Sequence, residues 1–184
     1  MPIFNMISKY SNGSALTVNI ISFESPVGKI VAAADDDFLY FVCFEDSKKI
    51  EKKIQSLSEE LSCNFLEGTN KVLESLKYEL SEYFEGNLKT FSVQIKTTGS
   101  DFQKQVWAKL HQLPYGTCQT YSDLAKSIGL SGSYSRAVGA ACGANSHLLV
   151  VPCHRIVAVG SRGGFSSGID RKEWLLEHEK KHTL

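Results

Sequence analysis

The chain has 184 residues, 42% hydrophobic and 22% charged, with four prolines and a formal net charge of zero. This composition argues against a disordered chain, a coiled coil or a collagen-like fibre, and the length suits one large domain or two small ones. No apolar run approaches the ~20 residues that cross a bilayer, and the start "MPIFNMISKYSNGS" lacks the basic and apolar regions of a secretion signal, so an intracellular, cytoplasmic (or nuclear) protein without membrane contact is expected.

Along the chain, "TVNIISFE", "GKIVAAA" and "FLYFVCF" are short runs rich in β-branched and aromatic residues, parted by turn signals, and they predict three strands. Two helices follow, in "SKKIEKKIQSLSEELS" and "NKVLESLKYELSEYFEG". There Ile50, Ile54, Leu57 and Leu61, then Val72, Leu73, Leu76, Leu80 and Phe84, recur at helical spacing. After a strand-like "FSVQI", a boundary falls near "KTTGSD". Residues 1–98 therefore read as a small α+β domain, a three-stranded sheet plus helices, with no chemistry visible in it.

Residues 99–184 read as mostly helical. Ser100 precedes "DFQKQVWAKLHQL", in which Phe102, Val106, Leu110 and Leu113 share a face. Thr120 caps "YSDLAKSI", Gly129 closes it, and Ser133 caps "YSRAVGAACG", giving a helix-turn-helix candidate. Asp170 caps "RKEWLLEHEKK", with Glu173 completing a capping box. The zero net charge conceals an asymmetry: residues 1–98 carry ten Lys and Arg against fourteen Asp and Glu, residues 99–184 ten against six. The modestly basic second half suits a polyanionic partner, although ordinary surface variation gives the same numbers.

The second helix of the pair carries Ser135, Ala137, Gly139, Ala140, Ala141 and Cys142 beside one long basic side chain, Arg136. Small residues at helix-weakening cost imply close approach of something to this backbone. Tight packing in the core is one reading. DNA is the other, with a small-residue helix pressed into a widened minor groove and Arg136 pushed into the base stack.

Five cysteines stand far apart with no C-x-x-C pair, and all five histidines lie in the second half, so neither a disulfide framework nor a zinc knuckle is indicated. In "VVPCHRIV", Cys153 sits between Pro152 and His154. The residues leave three roles open for it: a buried structural thiol, a nucleophile or a metal ligand. In an extended segment Cys153 and His154 point to opposite faces, which makes a bridging water the proton path between them. Glu179, in "LLEHE", is the candidate to orient the imidazole.

"PCHRIV", together with "FQKQVWAKLHQLPYGTCQTYSDLA", "SRAVGAACGAN" and "GFSSGIDRKEWLLEHE", resembles the motifs of the O6-alkylguanine-DNA alkyltransferases, the methylated-DNA–protein-cysteine methyltransferases, in their order and spacing. The resemblance implies an α+β chain with an RNase H-like N-terminal domain (1–98) and a winged helix-turn-helix-like alkyl-acceptor domain (99–184). The function it implies is direct DNA repair, in which a monomer binds duplex DNA containing O6-alkylguanine, or O4-alkylthymine, flips the base from the minor groove and moves its alkyl group irreversibly to Cys153.

In the roles it implies, a water and His154, held by Glu179, deprotonate Cys153; Tyr121 rotates the nucleotide and gives a proton to the purine. Arg136, flanked by Ser135 and Ala137, fills the vacated stack. Asn145 ties the recognition helix to the cysteine segment, the carbonyls of Cys153 and Ile156 accept from the base, and Ser166 meets its oxygen side. Phe165, Ser167 and Leu148 shape the pocket. Arg155 is structural or a phosphate contact. Three positions depart from the family pattern: Ser146 where proline is common, Phe165 where tyrosine is usual, and Ser167 in place of glycine or tryptophan. No glycine-rich nucleotide motif suggests S-adenosylmethionine, and no cofactor or metal is expected. A damage-binding module of the alkyltransferase-like kind and a cysteine hydrolase are the competing readings; the first lacks this cysteine, and the second needs a Cys–His pair that meets across the fold.

Overall fold

The structure, a computed structural model, describes residues 3–11 and 13–183; Met1, Pro2 and Asn12 of the opening stretch lie outside the described residues. The chain forms two compact units, Met1–Glu82 with Phe91–Lys96 and Tyr83–Thr90 with Thr97–Leu184.

In the first unit the alternating and fully apolar runs form strands as expected: β1 (Thr17–Phe23), β2 (Ile30–Ala34) and β3 (Leu39–Phe44) pair antiparallel. Every residue of β2 and β3 is buried, which the unbroken runs "IVAAA" and "LYFVCF" require. A fourth strand, β4 (Asn64–Glu67), adds to the three expected and lies parallel to β1, so the sheet order is β3-β2-β1-β4. Its four residues bury only Phe65, too little alternation for a sequence signal. "FSVQI" makes only an isolated bridge, Ile95 to Leu39.

Helix α1 (Ile3–Ile7), α2 (Ile50–Leu61) and α3 (Lys71–Glu85) complete this part of the chain. Ile50, Ile54 and Leu57 of α2 are buried at the predicted spacing, and Ser62 closes the helix in the left-handed region, its N–H donating to the Ser58 carbonyl. Asn70 Oδ1 accepts from Leu73 N at 3.0 Å and caps α3.

The second unit contains α4 (Asp101–His111), α5 (Tyr121–Ser127), α6 (Ser135–Gly143) and α7 (Ile169–Lys181), with a short parallel pair, β5 (Gln119–Thr120) and β6 (Ile156–Val157). Ser100 and Gln103 form a reciprocal capping box on α4, and the Thr120 side chain accepts from Asp123 N to start α5. Gly129 ends that helix at φ +81°, and α5 and α6 pack together as the helix-turn-helix. Trp107 Nε1 donates to Ala141 O at 2.8 Å, joining α4 to α6. Beyond β6, a bridge between Ala158 and Ser161 makes the turn of a small wing.

Two expected caps differ. Ser133 lies inside a one-turn 3-10 helix (Gly132–Tyr134) capped by Ser131, and α6 starts at Ser135 without a side-chain cap. At α7, Gly168 adopts φ +100° and begins the helix ahead of Asp170, which leaves Asp170 in the first turn, where its charge suits the helix dipole. Glu173 pairs with Arg162 at 3.8 Å instead of closing a capping box.

Candidate active site

Pro152, at φ −81° and ψ 63°, makes an inverse γ-turn in which Cys153 N donates to Val151 O at 2.8 Å. Cys153–Arg155 then form one turn of 3-10 helix where an extended run was expected, because proline fixes the bend immediately before the cysteine. Successive residues of such a turn still diverge by about 120°, so Cys153 and His154 point apart. Cys153 looks into a cavity of about 230 Å³ lined by Tyr121, Gly139, Cys142, Gly143, Gly164, Phe165 and Ser166.

His154, which is not among the residues lining the cavity, is fully buried. Its Nε2 lies 2.6 Å from Glu179 Oε1, while its Nδ1 is buried without a hydrogen-bond partner in the protein. Glu179, also fully buried, accepts further from Tyr83 Oη (2.9 Å), Gly116 N (3.0 Å), Arg155 Nε (2.9 Å) and Arg155 Nη2 (3.0 Å). Burial opposes the Glu179 charge, but the His154 hydrogen bond and the Arg155 guanidinium outweigh it and hold the carboxyl below the usual range. Burial also pushes the His154 pKa down, against the pull of Glu179. One state satisfies both shifts: an ionised carboxylate sustained by Arg155, accepting Nε2–H from a neutral imidazole whose Nδ1 carries the lone pair.

Asn145 stands where α6 ends. Its Nδ2 donates to Val151 O (2.8 Å) and approaches Cys153 Sγ at 3.3 Å, and its Oδ1 accepts from His147 N (2.8 Å), so one side chain pins the cysteine segment to the helix. Tyr121 Oη donates to Gly164 O at 3.2 Å, and burial raises its pKa. On α6, Arg136 and Ala137 are exposed and Ser135 is half-buried. A Cβ at Gly139 would meet the Tyr121 ring at an ordinary 3.6 Å and one at Gly143 would meet nothing, so packing within the fold does not demand these glycines.

The cavity therefore brings together Cys153, Tyr121, Phe165 and Ser166. Leu148 and Ile156 are buried and Ser167 is half-buried, and none of the three is among its lining residues. The Cys153 carbonyl accepts from Ile156 N and the Ile156 carbonyl from Lys172 Nζ. Arg155, read from the sequence as structural or a phosphate contact, is buried against Glu179 and the Leu113 carbonyl, whereas sequence reasoning missed Tyr83, Cys142 and Lys172. Lys172 is detectable in retrospect, since Lys172, Leu175, Leu176 and Glu179 recur at the spacing of one buried helix face, where an unpaired charge has no place. Among the described residues, no group of three or more His, Cys, Asp or Glu side chains could hold a metal ion, and no helix is long and apolar enough to cross a membrane.

Residues 101–181 match the family model for the DNA-binding domain of 6-O-methylguanine DNA methyltransferase, and residues 20–97 match that for its ribonuclease-like domain. The methylated-DNA–protein-cysteine methyltransferase of Methanosarcina acetivorans is 41% identical over 158 residues, 85% of this chain and 95% of that protein. The chain belongs to the methylated-DNA–protein-cysteine methyltransferase family. It is accordingly an enzyme of DNA repair by alkyl transfer, and the α+β fold class follows. The crystal structure of the Mycobacterium tuberculosis O6-methylguanine methyltransferase superposes with a TM-score of 0.77 at 30% identity, covering 91% of this chain and 95% of that one. Mycobacterium tuberculosis OGT in complex with DNA gives 0.76 at 30% identity, over 91% and 94%.

Proposed function

We propose that the protein removes the alkyl group from O6-alkylguanine, and from O4-alkylthymine, in duplex DNA and keeps it on Cys153, acting once per molecule as a monomer. The observation that carries this reading is the division of labour at His154: Nε2 is committed to Glu179, and the buried, unpartnered Nδ1 is left as the base. A water takes the Cys153 proton and passes it to Nδ1. The thiolate attacks the alkyl carbon; the S–C bond forms as the C–O6 bond breaks. Tyr121 gives its phenolic proton to the departing purine, which leaves as neutral guanine, and the phenolate recovers a proton from the imidazolium side through solvent.

The base reaches the cavity by flipping. Unstacking costs a few kcal/mol, offset by the plug that Arg136 provides and by the close approach that exposed Ala137 and Ala140 allow along α6. The glycines that packing within the fold does not require support the same approach. Asn145 keeps the DNA-facing helix and the nucleophile in fixed relation, so binding and chemistry stay coupled.

The test is to mix the protein with excess duplex carrying O6-methylguanine. A burst that restores one guanine per chain and then stops is the expected result. Tight binding with the methyl group left on the DNA would overturn this reading in favour of a damage-binding module.

A further inference from the structure

Lys172, on α7, has no solvent exposure. Burying an ammonium is costly unless its donors are taken. Its Nζ donates to Ile156 O at 2.6 Å and to Gly164 O at 2.9 Å, and it lies 5.9 Å from the centre of the Tyr121 ring. The two carbonyls belong to different parts of the site. Ile156 ends the turn that begins at Cys153, whereas Gly164 sits in the cavity loop with Phe165 and Ser166. Gly164 O accepts from Tyr121 Oη as well, so the lysine and the tyrosine share one acceptor.

We propose that Lys172 is a positioning residue of alkyl transfer: it clamps the nucleophile segment to the cavity loop, aims Tyr121, and presents a fixed positive charge to the thiolate that forms at Cys153. The proposal rests on the alkyl-transfer reading. When Tyr121 turns its hydroxyl to a purine, Gly164 O keeps its bond from Lys172 and the loop stays in place. Neutral donors could hold two carbonyls at lower desolvation cost, so the retained charge points to an electrostatic task.

The groups facing the ammonium fit that task. Burial pushes its pKa down, while thiolate charge at Cys153, at Cys142 on α6 and at Cys118 pulls it up, and Arg162 of the loop opposes them. The coupling is reciprocal: the ammonium favours thiolates in the cavity and disfavours protonation of His154. Tyr121, on α5, presents its ring.

Because each molecule reacts once, the amplitude of transfer counts competent chains and the rate constant reports the chemistry. With labelled O6-methylguanine duplex at saturation, Lys172→Met is expected to keep most of its amplitude and its DNA affinity while the rate constant falls about 100-fold, as misplaced reacting groups do. The acid limb of its pH–rate profile moves to higher pH, since the imidazole and the thiol both lose the cation. Lys172→Arg, which keeps the charge, returns that limb toward its wild-type position. A Met variant with wild-type rate and profile, or one that loses amplitude alone, would overturn the proposal. Should Lys172→Met not fold, Lys172→Gln, which removes the charge and keeps an amide donor, is read by the same criteria. A wild-type protein that transfers nothing would remove the alkyl-transfer reading itself, and a reactive wild type beside an equally reactive variant would remove only the role of Lys172.

Discussion

Glu179 Oε1 lies 2.6 Å from His154 Nε2, and neither side chain is reached by solvent. The carboxylate also gathers Tyr83, Arg155 and the Gly116 amide, so it anchors the base and the last helix at once. Glu179→Ala leaves Arg155 as a buried charge without its partner, and the expected loss of stability is about 3–5 kcal/mol in chemical denaturation. Alkyl transfer should fall with it, because the imidazole loses the group that fixes its tautomer. A stability loss below ~1 kcal/mol, the size of a surface pair, would contradict this role.

Stability should depend on pH with a definite sign. His154 and His178 are both held below the ordinary histidine range by burial, and Glu179 below the carboxylate range. Each group binds its proton more readily in the unfolded chain. Stability is therefore expected to be level between about pH 7 and 8, to fall as the pH drops through ~6.5 where unfolded histidine titrates, and to fall further below ~4.3 where unfolded glutamate does. Denaturation midpoints measured from pH 8 to pH 4 check this; a rise in stability toward pH 5 would contradict it.

Arg136 is exposed at the start of α6 and can be removed without touching the core. Arg136→Ala should leave stability within ~0.5 kcal/mol of wild type. Transfer from duplex DNA should slow by about 10- to 100-fold, the loss expected if a plug no longer offsets a few kcal/mol of unstacking. Reaction with the free modified base, which needs no flipping, should be unchanged. Equal slowing of both reactions, followed by label transfer, would contradict a role in flipping.

Gly163 adopts φ +70°, and a Cβ there would lie 2.9 Å from the Tyr121 ring and 3.0 Å from Ala158 N. Gly163→Ala is expected to cost about 1–2 kcal/mol for the left-handed backbone alone. It should also displace Tyr121 and slow transfer more than DNA binding. Thermal unfolding and single-turnover kinetics together check this, and an unslowed variant would show that Tyr121 has room to move.

Legibility in the sequence followed the physics of each element. The buried strands of the first unit, the α2 and α3 stripes and the caps Ser100 and Thr120 were visible because apolar periodicity and cap chemistry are local. β4 was not, since four residues with one buried side chain carry no period, and neither were the true starts of α6 and α7, set by a 3-10 turn and by a glycine backbone. At the site, motif order drew attention to Cys153, His154, Asn145 and Glu179. Tyr83 and Lys172 escaped because their partners lie far along the chain: Tyr83 meets Glu179 across 96 residues, and Lys172 meets Ile156 across 16. Long-range polar pairing leaves no periodic trace.

The central claim is that Cys153 is the nucleophile consumed by the reaction. The most direct measurement is peptide mapping by mass spectrometry after single-turnover reaction with a duplex carrying a labelled O6-methyl group. One label per chain on the peptide containing Cys153, and none on Cys153→Ala, is the predicted result. Undiminished labelling of Cys153→Ala, or label on Cys142 in the wild-type protein, would contradict it.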